Sequence, residues 1–392
     1  MNVGLAFLKG QFGNAVTWVG HDISINMKEL AITAAIKRAF LEYLLTEALA
    51  VDKNNKTKRK EVTLAVLVWR CMNVDLAFLK GQFGPAVTWI GHDITINMKE
   101  LAITAAITRA FLEDLLTEAL AIDKKNKIKR KELRSFTGKS NHVASLIWTW
   151  KPFLDELWAA ADSTHRSNAG KDQIWTKQVM GSLKWLVLFL TRQAGELSRT
   201  WSVASHLAAA TLVAVVFDAS PWGLGAVLYI NNTPYRYLMD KITPQDEKRY
   251  RHSAGDHRGQ QVWEALAILI ALKAWAPIIL GKRFSWRLTV RGDNVTALNL
   301  VLRMKAKPGP LKAIAKEMAM LLASSPYRPT SAYHIAGLTN VVADMLSRRY
   351  DPSKPDWQLP DELHGVERTA LPPRSADYYI IESCIRDSGI TR

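Results

Sequence analysis

Cysteine and long apolar segments are both scarce in this chain of 392 residues. Cys71 and Cys384 are its two cysteines, too few for a disulfide framework or a cysteine zinc site. No stretch reaches about 18 uninterrupted apolar residues, so we expect no membrane span. The start, MNVGLAFLKGQFG, lacks a basic segment followed by a long apolar core, so we expect no secretory signal. These features predict an intracellular location, cytoplasmic or nuclear.

Basic residues outnumber acidic ones. The chain has 52 Lys and Arg against 36 Asp and Glu, a formal net charge of +16, with an ordinary hydrophobic share of 48%. Such an excess favours a polyanionic partner, most often nucleic acid, although some basic proteins use their charge only to stay soluble. The length allows two or three domains.

A near-identical repeat occupies the first third of the chain. Residues 1–61 return at 72–132 with an offset of 71, and nine of the 61 positions differ. Solenoid repeats diverge and need three or more copies to bury their faces, so two such copies indicate a recent duplication or a misjoined gene. The second copy continues smoothly, whereas the first breaks off into VTLAVLVWRC. We therefore regard the first copy as superfluous, with no requirement for a stable fold.

The second copy and the residues after it are predicted to mix strands with helices. β-Branched and aromatic residues alternate over 86–104, which favours a strand pair, and leucines at helical spacing follow over 107–122. Apolar helices are expected at 141–161, and helical spacing resumes at 174–195 after a polar linker at 162–172.

A basic run, KKNKIKRK, lies at residues 124–131. It is typical of a solvated loop, of weak phosphate contact or of a nuclear import signal. The first two are favoured, because short basic runs are frequent by chance.

An α/β segment begins at residue 211. The unbroken apolar run 212–217 is typical of a strand buried on both faces, and turn residues lead from it into a second apolar run at 225–230. The elements predicted after the hairpin are a strand at 235–238, a long loop at 243–259, a helix at 260–275, a strand at 284–290, helices at 295–302 and 311–323, a strand at 331–335 and a helix at 341–349. A hairpin followed by alternating helices and strands predicts a mixed sheet flanked by helices.

Four acidic residues fall at informative places in this order. Asp218 and Asp293 end strands, Glu264 lies in an otherwise apolar helix, and Asp344 lies near the start of the last helix. If the two strands are parallel neighbours, both aspartates emerge at the same edge of the sheet. Four clustered carboxylates require cations, and the hard ions Mg²⁺ and Mn²⁺ prefer oxygen ligands. Taken alone, a strand-end aspartate is more often simply solvated.

The stretches around these acids are DASPWGLGAVL, WEALAILIALKAW, RGDNVTAL and HIAGLTNVVADMLSRR. The last follows the specific pattern H-x-x-G-x-x-N-x-x-A-D-x-L-S-R. Together they resemble the ribonuclease H domain of retrotransposon and retroviral reverse transcriptases, over about residues 211–350. The resemblance implies an α/β fold with a ribonuclease H-like mixed five-stranded sheet flanked by helices, preceded by an α+β segment that contains the duplicated unit.

The resemblance also implies the chemistry. Asp218, Glu264, Asp293 and Asp344 match the family's metal-binding acids, and His334 matches a mobile histidine thought to assist turnover. Two Mg²⁺ ions are implied, for which Mn²⁺ can substitute, with Asp218 bridging both, Glu264 and Asp293 on one and Asp344 on the other. The implied reaction is endonucleolytic hydrolysis of the RNA strand of an RNA–DNA hybrid, with no small-molecule cofactor. A lone strand-end histidine is more often structural, but this motif favours the functional role.

Contacts to the nucleic acid are expected from residues near the acids. Ser220, Gln261 and Asn294 are candidates, although each is equally plausible as a cap or turn residue. The predicted loop 243–259 adds four cations that are either phosphate contacts or part of a solvated loop: Lys248, Arg249, Arg251 and Arg258.

The residues before 211 carry a weaker resemblance, in VTWIGHDI and ELRSFTGKSNHVASLI, to the primer-gripping strands and thumb helices of such polyproteins. The expected division is a duplicated copy at 1–71, a primer-grip and thumb-like segment at 72–161, a connecting helical segment at 162–210, the ribonuclease H-like domain at 211–350 and an extended tail at 351–392. The fingers and palm of the polymerase are missing and no Asp-Asp dipeptide occurs, so we expect no DNA synthesis.

Three alternatives stay open at this point. Integrases and transposases use a related fold and a carboxylate cluster, but do not explain the motif from His334 to Asp344. A catalytically inactive, nucleic-acid-binding relic of a retroelement fits the missing palm and the duplication, whereas the intact acids disfavour it. A purely structural basic protein predicts that the acids are replaceable without effect.

Overall fold

The computed structural model describes residues 86–89, 92–97, 102–163, 169–170, 172–202, 205, 210–279, 286–306, 309–323 and 331–381. The first repeat copy, both cysteines and part of the predicted linker lie outside the described residues. The described residues belong to one compact unit.

The first part of this unit combines short strands with helices. In chain order its elements are β1 (Ala86–Trp89), β2 (His92–Asn97), β3 (Ala102–Ile107), α1 (Arg109–Asp123), β4 (Lys127–Lys129), α2 (Arg130–Leu146), α3 (Lys151–Asp162), β5 (Gln173–Trp175), α4 (Met180–Leu190) and β6 (Ser198–Ser202). An antiparallel sheet has the order β1-β2-β3-β6, and β4 pairs with β5 alone.

Two expectations for this part need correction. The predicted strand pair at 86–104 is three strands, because Ala102–Ile107 pairs along the whole of β2. The predicted connecting helical segment contains α4 but ends in a strand, since β6 closes the edge of β3. There the hydroxyls of Thr104 and Thr200 lie 2.9 Å apart on neighbouring strands. A short edge strand such as β6 has little periodicity by which the sequence would show it.

The second part is a mixed sheet with flanking helices, as predicted. Its elements are β7 (Thr211–Ala219), β8 (Gly223–Ile230), β9 (Thr233–Lys241), α5 (Pro244–Tyr250), α6 (Gln260–Ile279), β10 (Trp286–Gly292), α7 (Val295–Arg303), α8 (Pro310–Ala323), β11 (Ser331–His334), α9 (Val341–Ser347) and β12 (Glu367–Arg368). The strand order is β11-β10-β7-β8-β9-β12. Strands β11, β10 and β7 are parallel, whereas β8 runs antiparallel to both of its neighbours.

Strand β7 lies inside the sheet, between β10 and β8, and most of its apolar run is buried, with Leu212 at its start 38% exposed. Val213, Val215 and Phe217 are at most 1% exposed, and the intervening Ala214 is also buried. Helix α6 packs on β7 and β8 and is itself in contact with α7 and α8, whereas α9 packs on β7, β8 and β9. The segment His257–Ile279 is long and apolar enough to cross a membrane, but 72% of its most apolar window is buried inside the protein, as in a core helix.

The predicted loop 243–259 contains helix α5. Thr243 caps it: its hydroxyl accepts from the Asp246 N–H at 3.2 Å, and the Asp246 carboxylate accepts from the Thr243 N–H at 2.9 Å. Pro244 occupies the first turn, where a missing N–H costs nothing. Arg251 ends the helix in a left-handed conformation, with φ of 57°. This capping box is readable as T-P-x-D in the sequence.

The described part of the predicted extended tail, residues 351–381, packs onto the domain instead of leaving it, and residues 382–392 lie outside the described residues. Strand β12 pairs in parallel with β9 and adds a sixth strand to the predicted five. Leu363 is fully buried in an apolar cluster with Val227, Tyr237 and Leu346. The segment has few regular elements, which explains why its composition suggests a linker.

Candidate metal and active site

Parallel pairing of β7 and β10 brings two of the predicted acids together. Asp218 lies near the end of β7 and Asp293 directly follows β10, so both leave the sheet at the same edge. Glu264, in the second turn of α6, completes a group. One carboxylate oxygen from each of the three residues lies within 4.8 Å of the others. Asp218 and Glu264 are 4% and 3% exposed, and Asp293 is half-buried.

Glycines bring the elements of this edge close enough together. A Cβ on Gly292 would lie 2.7 Å from the Phe217 ring, which packs between the strand ends. A Cβ on Gly225 would clash with the Ala343 carbonyl oxygen, so a glycine lets α9 pack on β8 at this point. A Cβ on Gly337 would lie 3.1 Å from Oδ2 of Asp293. The loop before α9 therefore passes directly beside the acidic group.

Polar side chains at the two ends of α9 hold Asp218. Ser347 Oγ donates to Asp218 Oδ2 at 2.8 Å, and Asn340 Nδ2 donates to Oδ1 at 3.4 Å and to the Phe217 carbonyl at 3.0 Å. Ser220 is 3% exposed and donates to the Ser347 carbonyl at 2.7 Å. Its hydroxyl also accepts from the Gly223 N–H at 3.1 Å, so Ser220 anchors α9 and its equally weighted role as a turn residue is the one seen here.

Glu264 is only half satisfied. Gln260 Nε2 donates to Glu264 Oε1 at 3.0 Å and also to the Ala219 carbonyl. Glu264 Oε2 is buried and has no hydrogen-bond partner within the described part of the chain. A buried carboxylate oxygen in this state costs free energy. Three converging carboxylates with an orphaned oxygen have the donor chemistry that a hard divalent cation requires.

Burial and mutual repulsion shift the titration of the group. Burial raises the pKa of Asp218 to about 7, with the negative charges of Asp293 and Asp344 adding to the effect and the Ser347 hydrogen bond opposing it. Burial also raises the pKa of Glu264 well above its ordinary value, and Asp218 and Asp293 raise it further. Without a cation, the buried site therefore favours protonated carboxyls near neutral pH.

Asp344 lies outside this group of three. Both of its oxygens accept from Arg348 Nε, at 2.7 and 2.8 Å, and Arg348 Nη2 lies 2.6 Å from Oδ1. The two residues are four apart on α9 and its short continuation, the spacing at which a helix brings side chains together. The structure therefore assembles three of the four predicted acids and gives the fourth a basic partner.

His334 is the last residue of β11 and pairs in register with Gly292 on β10. It is exposed to solvent. Ile335 N–H donates to the Gly292 carbonyl at 3.0 Å, which continues the pairing past the strand end. His334 thus stands at the sheet edge where β10 leads into Asp293.

Among the remaining residues predicted to contact nucleic acid, four are exposed side chains and one is a helix cap. Lys248, Arg251, Gln261 and Arg258 are exposed, and Arg258 is paired with Asp256 at 2.9 Å. Asn294 caps α7, accepting from the Ala297 N–H at 3.1 Å, so its equally weighted role as a cap is the one seen here.

Arg249 points inward, contrary to its prediction as a phosphate contact. Its Nη2 lies 3.2 Å from Glu317 Oε1, and its guanidinium lies 3.8 Å from the centre of the Tyr379 ring. Leaving the buried Glu317 carboxylate on α8 without a cation would cost more free energy than removing the Arg249 guanidinium from water.

Sequence reasoning missed four residues of this site. Asn340, Ser347 and Arg348 all lie inside the quoted motif, so the motif itself held the signal. The spacing of Asp344 and Arg348 also predicts an ion pair on one helix. Gln260 stands one turn before Glu264 and carries no comparable signal.

Comparison with known proteins finds similarity among solved structures alone. No family model matches, and no curated protein matches. Ribonuclease H1 from the halophilic archaeon Halobacterium salinarum NRC-1 is similar over 34% of this chain and 93% of its own, at 21% identity and a TM-score of 0.26. A foamy viral protease-reverse transcriptase in complex with an RNA/DNA hybrid is similar over 72% of this chain, at 15% identity and a TM-score of 0.29. The dRH form of a foamy viral protease-reverse transcriptase, in complex with double-stranded DNA, is similar over 77% of this chain, at 16% identity and a TM-score of 0.27. The chain spans 34% and 48% of these two viral chains.

Proposed function

We propose that this chain is a metal-dependent endonuclease that hydrolyses the RNA strand of RNA–DNA hybrids. One observation carries the proposal: Asp218, Glu264 and Asp293 converge within 4.8 Å at the carboxyl ends of parallel strands, with a buried Glu264 oxygen lacking a partner. The motif that contains His334 and Asp344 resembles the ribonuclease H domain of reverse transcriptases, which supplies the substrate class. An origin in a retrotransposon or retroviral-type element, without polymerase activity, is part of the same proposal.

The cofactor proposed is Mg²⁺, with Mn²⁺ as a substitute. Asp218, Glu264 and Asp293 would hold one ion, and Asp344 would help to hold a second, for which it must loosen its pair with Arg348. Bound ions of this kind neutralise clustered carboxylates, activate a water and stabilise the leaving oxygen of a phosphodiester.

The chain's own groups keep these ligands in place. Ser347 and Asn340 fix the orientation of Asp218, and Gln260 fixes one oxygen of Glu264 while the other stays available. His334 is exposed at the same sheet edge, where an imidazole can donate or accept a hydrogen bond. We assign it to proton exchange with the substrate or product phosphate, which would assist turnover.

Hybrid binding would use the exposed polar residues near this edge. Gln261, Lys248, Arg251 and Arg258 are solvent-exposed and are the proposed contacts. Selection of RNA would depend on 2′-hydroxyls in a wide, shallow minor groove. The proposed location is intracellular, cytoplasmic or nuclear, where such hybrids occur.

The test is cleavage of an end-labelled RNA–DNA hybrid by the purified full chain, with Mg²⁺ or Mn²⁺ and with EDTA. We expect the RNA strand to be cut and the DNA strand to survive, and we expect Asp293→Asn to abolish cutting. Asp361→Asn is the matched control, because the Asp361 side chain is fully exposed and lies outside the acidic group.

A second candidate is an inactive relic that still binds nucleic acid. The observation in its favour is the Arg348 guanidinium, which occupies both oxygens of Asp344 and leaves three acids together in place of four. Salt-sensitive binding of the hybrid without cleavage under any metal condition would support this candidate and exclude the enzyme.

A further inference from the structure

The basic run at 124–131 forms part of a small sheet, which corrects its interpretation as a loop. Strands β4 and β5 are antiparallel, with Ile128 directly opposite Ile174. Both isoleucines are 1% exposed, so this face of the sheet is buried. Side chains alternate between faces along a strand. Lys127 and Lys129 therefore extend from the opposite face, and both are exposed.

An aromatic ring organises the exposed face. Trp175 lies opposite Lys127 in the register of the two strands, and the Lys127 Nζ is 4.4 Å from the centre of its ring. The Nζ of Lys177 lies 5.7 Å from the same ring. Cation–π attraction offsets the repulsion between two ammonium groups held by one indole. We call Lys127, Lys129, Lys177 and Trp175 the basic face.

Two lysines near the basic face are paired with acids, whereas the lysines of the basic face are not. Lys125 pairs with Glu132, and Lys139 pairs with Glu118 and Asp114. Within the described ranges, no ion pair joins a carboxylate to any of the three lysines of the basic face. Their charge is therefore available to an anion from outside the chain.

We propose that the basic face binds the phosphate backbone of a nucleic-acid duplex. Charge complementarity carries this choice, because three uncompensated lysines meet a polymer that has one phosphate per nucleotide. Residues two apart on a strand are about 6.6 Å apart, a spacing at which Lys127 and Lys129 reach successive phosphates of one strand. Trp175 keeps the ammonium of Lys127 in place, which lowers the entropy lost when the phosphate binds.

The ligand named here, the RNA–DNA hybrid, rests on the proposed function, but the contact is independent of hydrolysis. It is sequence-independent and adds affinity away from the acidic group. Contacts of this kind position a duplex without reading its bases.

The test is binding of a fluorescent hybrid to the full chain in EDTA, where the metal-dependent reaction is stopped, over a series of salt concentrations. Lys127→Gln with Lys129→Gln removes two charges from the basic face. Lys125→Gln with Lys139→Gln is the control pair, because it removes two charges from lysines that already pair with acids. Lys177→Gln removes the third charge of the basic face, at a position just after β5. Since each lost phosphate contact lowers the slope of log K against log salt by about 0.9, we expect a slope shallower by about 2 and binding on the order of tenfold weaker near 0.1 M salt.

The control pair is expected to change the slope by well under half as much, and Lys177→Gln by about 1. Equal effects of both double variants would overturn the proposal, since general charge would then explain the loss. An unchanged slope in the Lys127 and Lys129 variant would also overturn it and would favour the nuclear-import interpretation. If the slopes change as expected while the wild-type chain never cuts RNA, the basic face stands and the proposed enzyme fails.

Discussion

Among the described residues, buried carboxylates lie in two regions, and their surroundings differ between the two. At the tail, Asp246 is fully buried and accepts from Arg374 Nε and Nη2 at 2.7 to 3.1 Å and from the Tyr379 hydroxyl at 3.1 Å. Glu317, 2% exposed, accepts from Arg249 and from the N–H groups of Ile380 and Ile381. At the sheet edge, Asp218, Glu264 and Asp293 face one another instead.

The difference indicates what each region is for. The tail network shows that this fold can supply cations and donors to a buried acid when the acid serves stability. A buried pair of charges contributes little net stability, but removing one partner is costly, so such a network locks one arrangement of the tail. Among the described residues no ion pair joins a cation to Asp218, Glu264 or Asp293, and this arrangement of acids is one that could hold an external cation.

Breaking the tail network is expected to have the largest effect. Arg374→Met removes the cation from Asp246 and leaves a fully buried carboxylate without its charge partner. We expect the free energy of unfolding to fall by about 3–5 kcal/mol, measured by urea denaturation. Arg258→Met, at a surface arginine, is the control and should leave the midpoint unchanged. A loss below about 1 kcal/mol in Arg374→Met would show that the tail is not locked by this pair.

The second largest effect is expected in the pH dependence of stability, because the pKa of Asp218 at the sheet edge is raised. Asp218 has an ordinary pKa of 3.8 and a folded pKa of about 7, so between these values the folded protein binds more protons than the unfolded chain. Stability of the metal-free protein is therefore expected to fall as pH rises from about 4 to about 7, by on the order of 3 kcal/mol from this group. Thermal unfolding in EDTA across this range tests it, and Asp218→Asn should flatten the profile. A profile that rises throughout the window would contradict the raised pKa.

Removing one of the clustered acids is expected to raise the free energy of unfolding, whereas breaking the tail network is expected to lower it. Glu264→Gln removes a carboxyl whose ionisation is opposed by burial and by the neighbouring acids, so the metal-free protein at pH 8 is expected to become more stable, by about 1 kcal/mol. Hydrolysis should be lost in the same variant. Urea denaturation of Glu264→Gln beside Glu317→Gln makes the contrast, since Glu317→Gln should destabilise. Loss of stability in both variants would mean that the two regions do not differ.

The smallest effect is expected at Asp344, which belongs to the predicted acids of the sheet edge but, like the acids of the tail network, is paired with an arginine. Arg348→Gln should free its carboxylate and lower the Mg²⁺ concentration needed for half-maximal hydrolysis by a few-fold, because an arginine pair of this exposure is worth about 1 kcal/mol or less. Arg349→Gln, at an exposed neighbour, is the control. A higher Mg²⁺ requirement in Arg348→Gln would show that Arg348 helps to hold the substrate instead.

The sequence predicts the sheet edge far better than the tail, for a physical reason. Local pattern places Asp218 and Asp293 at the ends of two strands, whereas the parallel pairing of those strands comes from the structure. Arg374 and Asp246 are 128 residues apart, and nothing in a segment rich in proline and aspartate marks one arginine as buried. Helix α5 was predicted as a loop, although the capping box that begins at Thr243 is a local signal for a helix start. The edge strand β12 has two residues and no pattern to detect.

Metal binding tests the central claim most directly. Titration calorimetry of Mg²⁺ or Mn²⁺ into the metal-free full chain at pH 8 would be compared between the wild type and Asp293→Asn, with Asp361→Asn as the control. The account predicts saturable binding by the wild type and the control, weakened at least tenfold in Asp293→Asn, with a thermal midpoint that rises as the ion binds. Absence of binding, or equal binding by Asp293→Asn, would contradict the claim that the three acids face one another because they hold a cation.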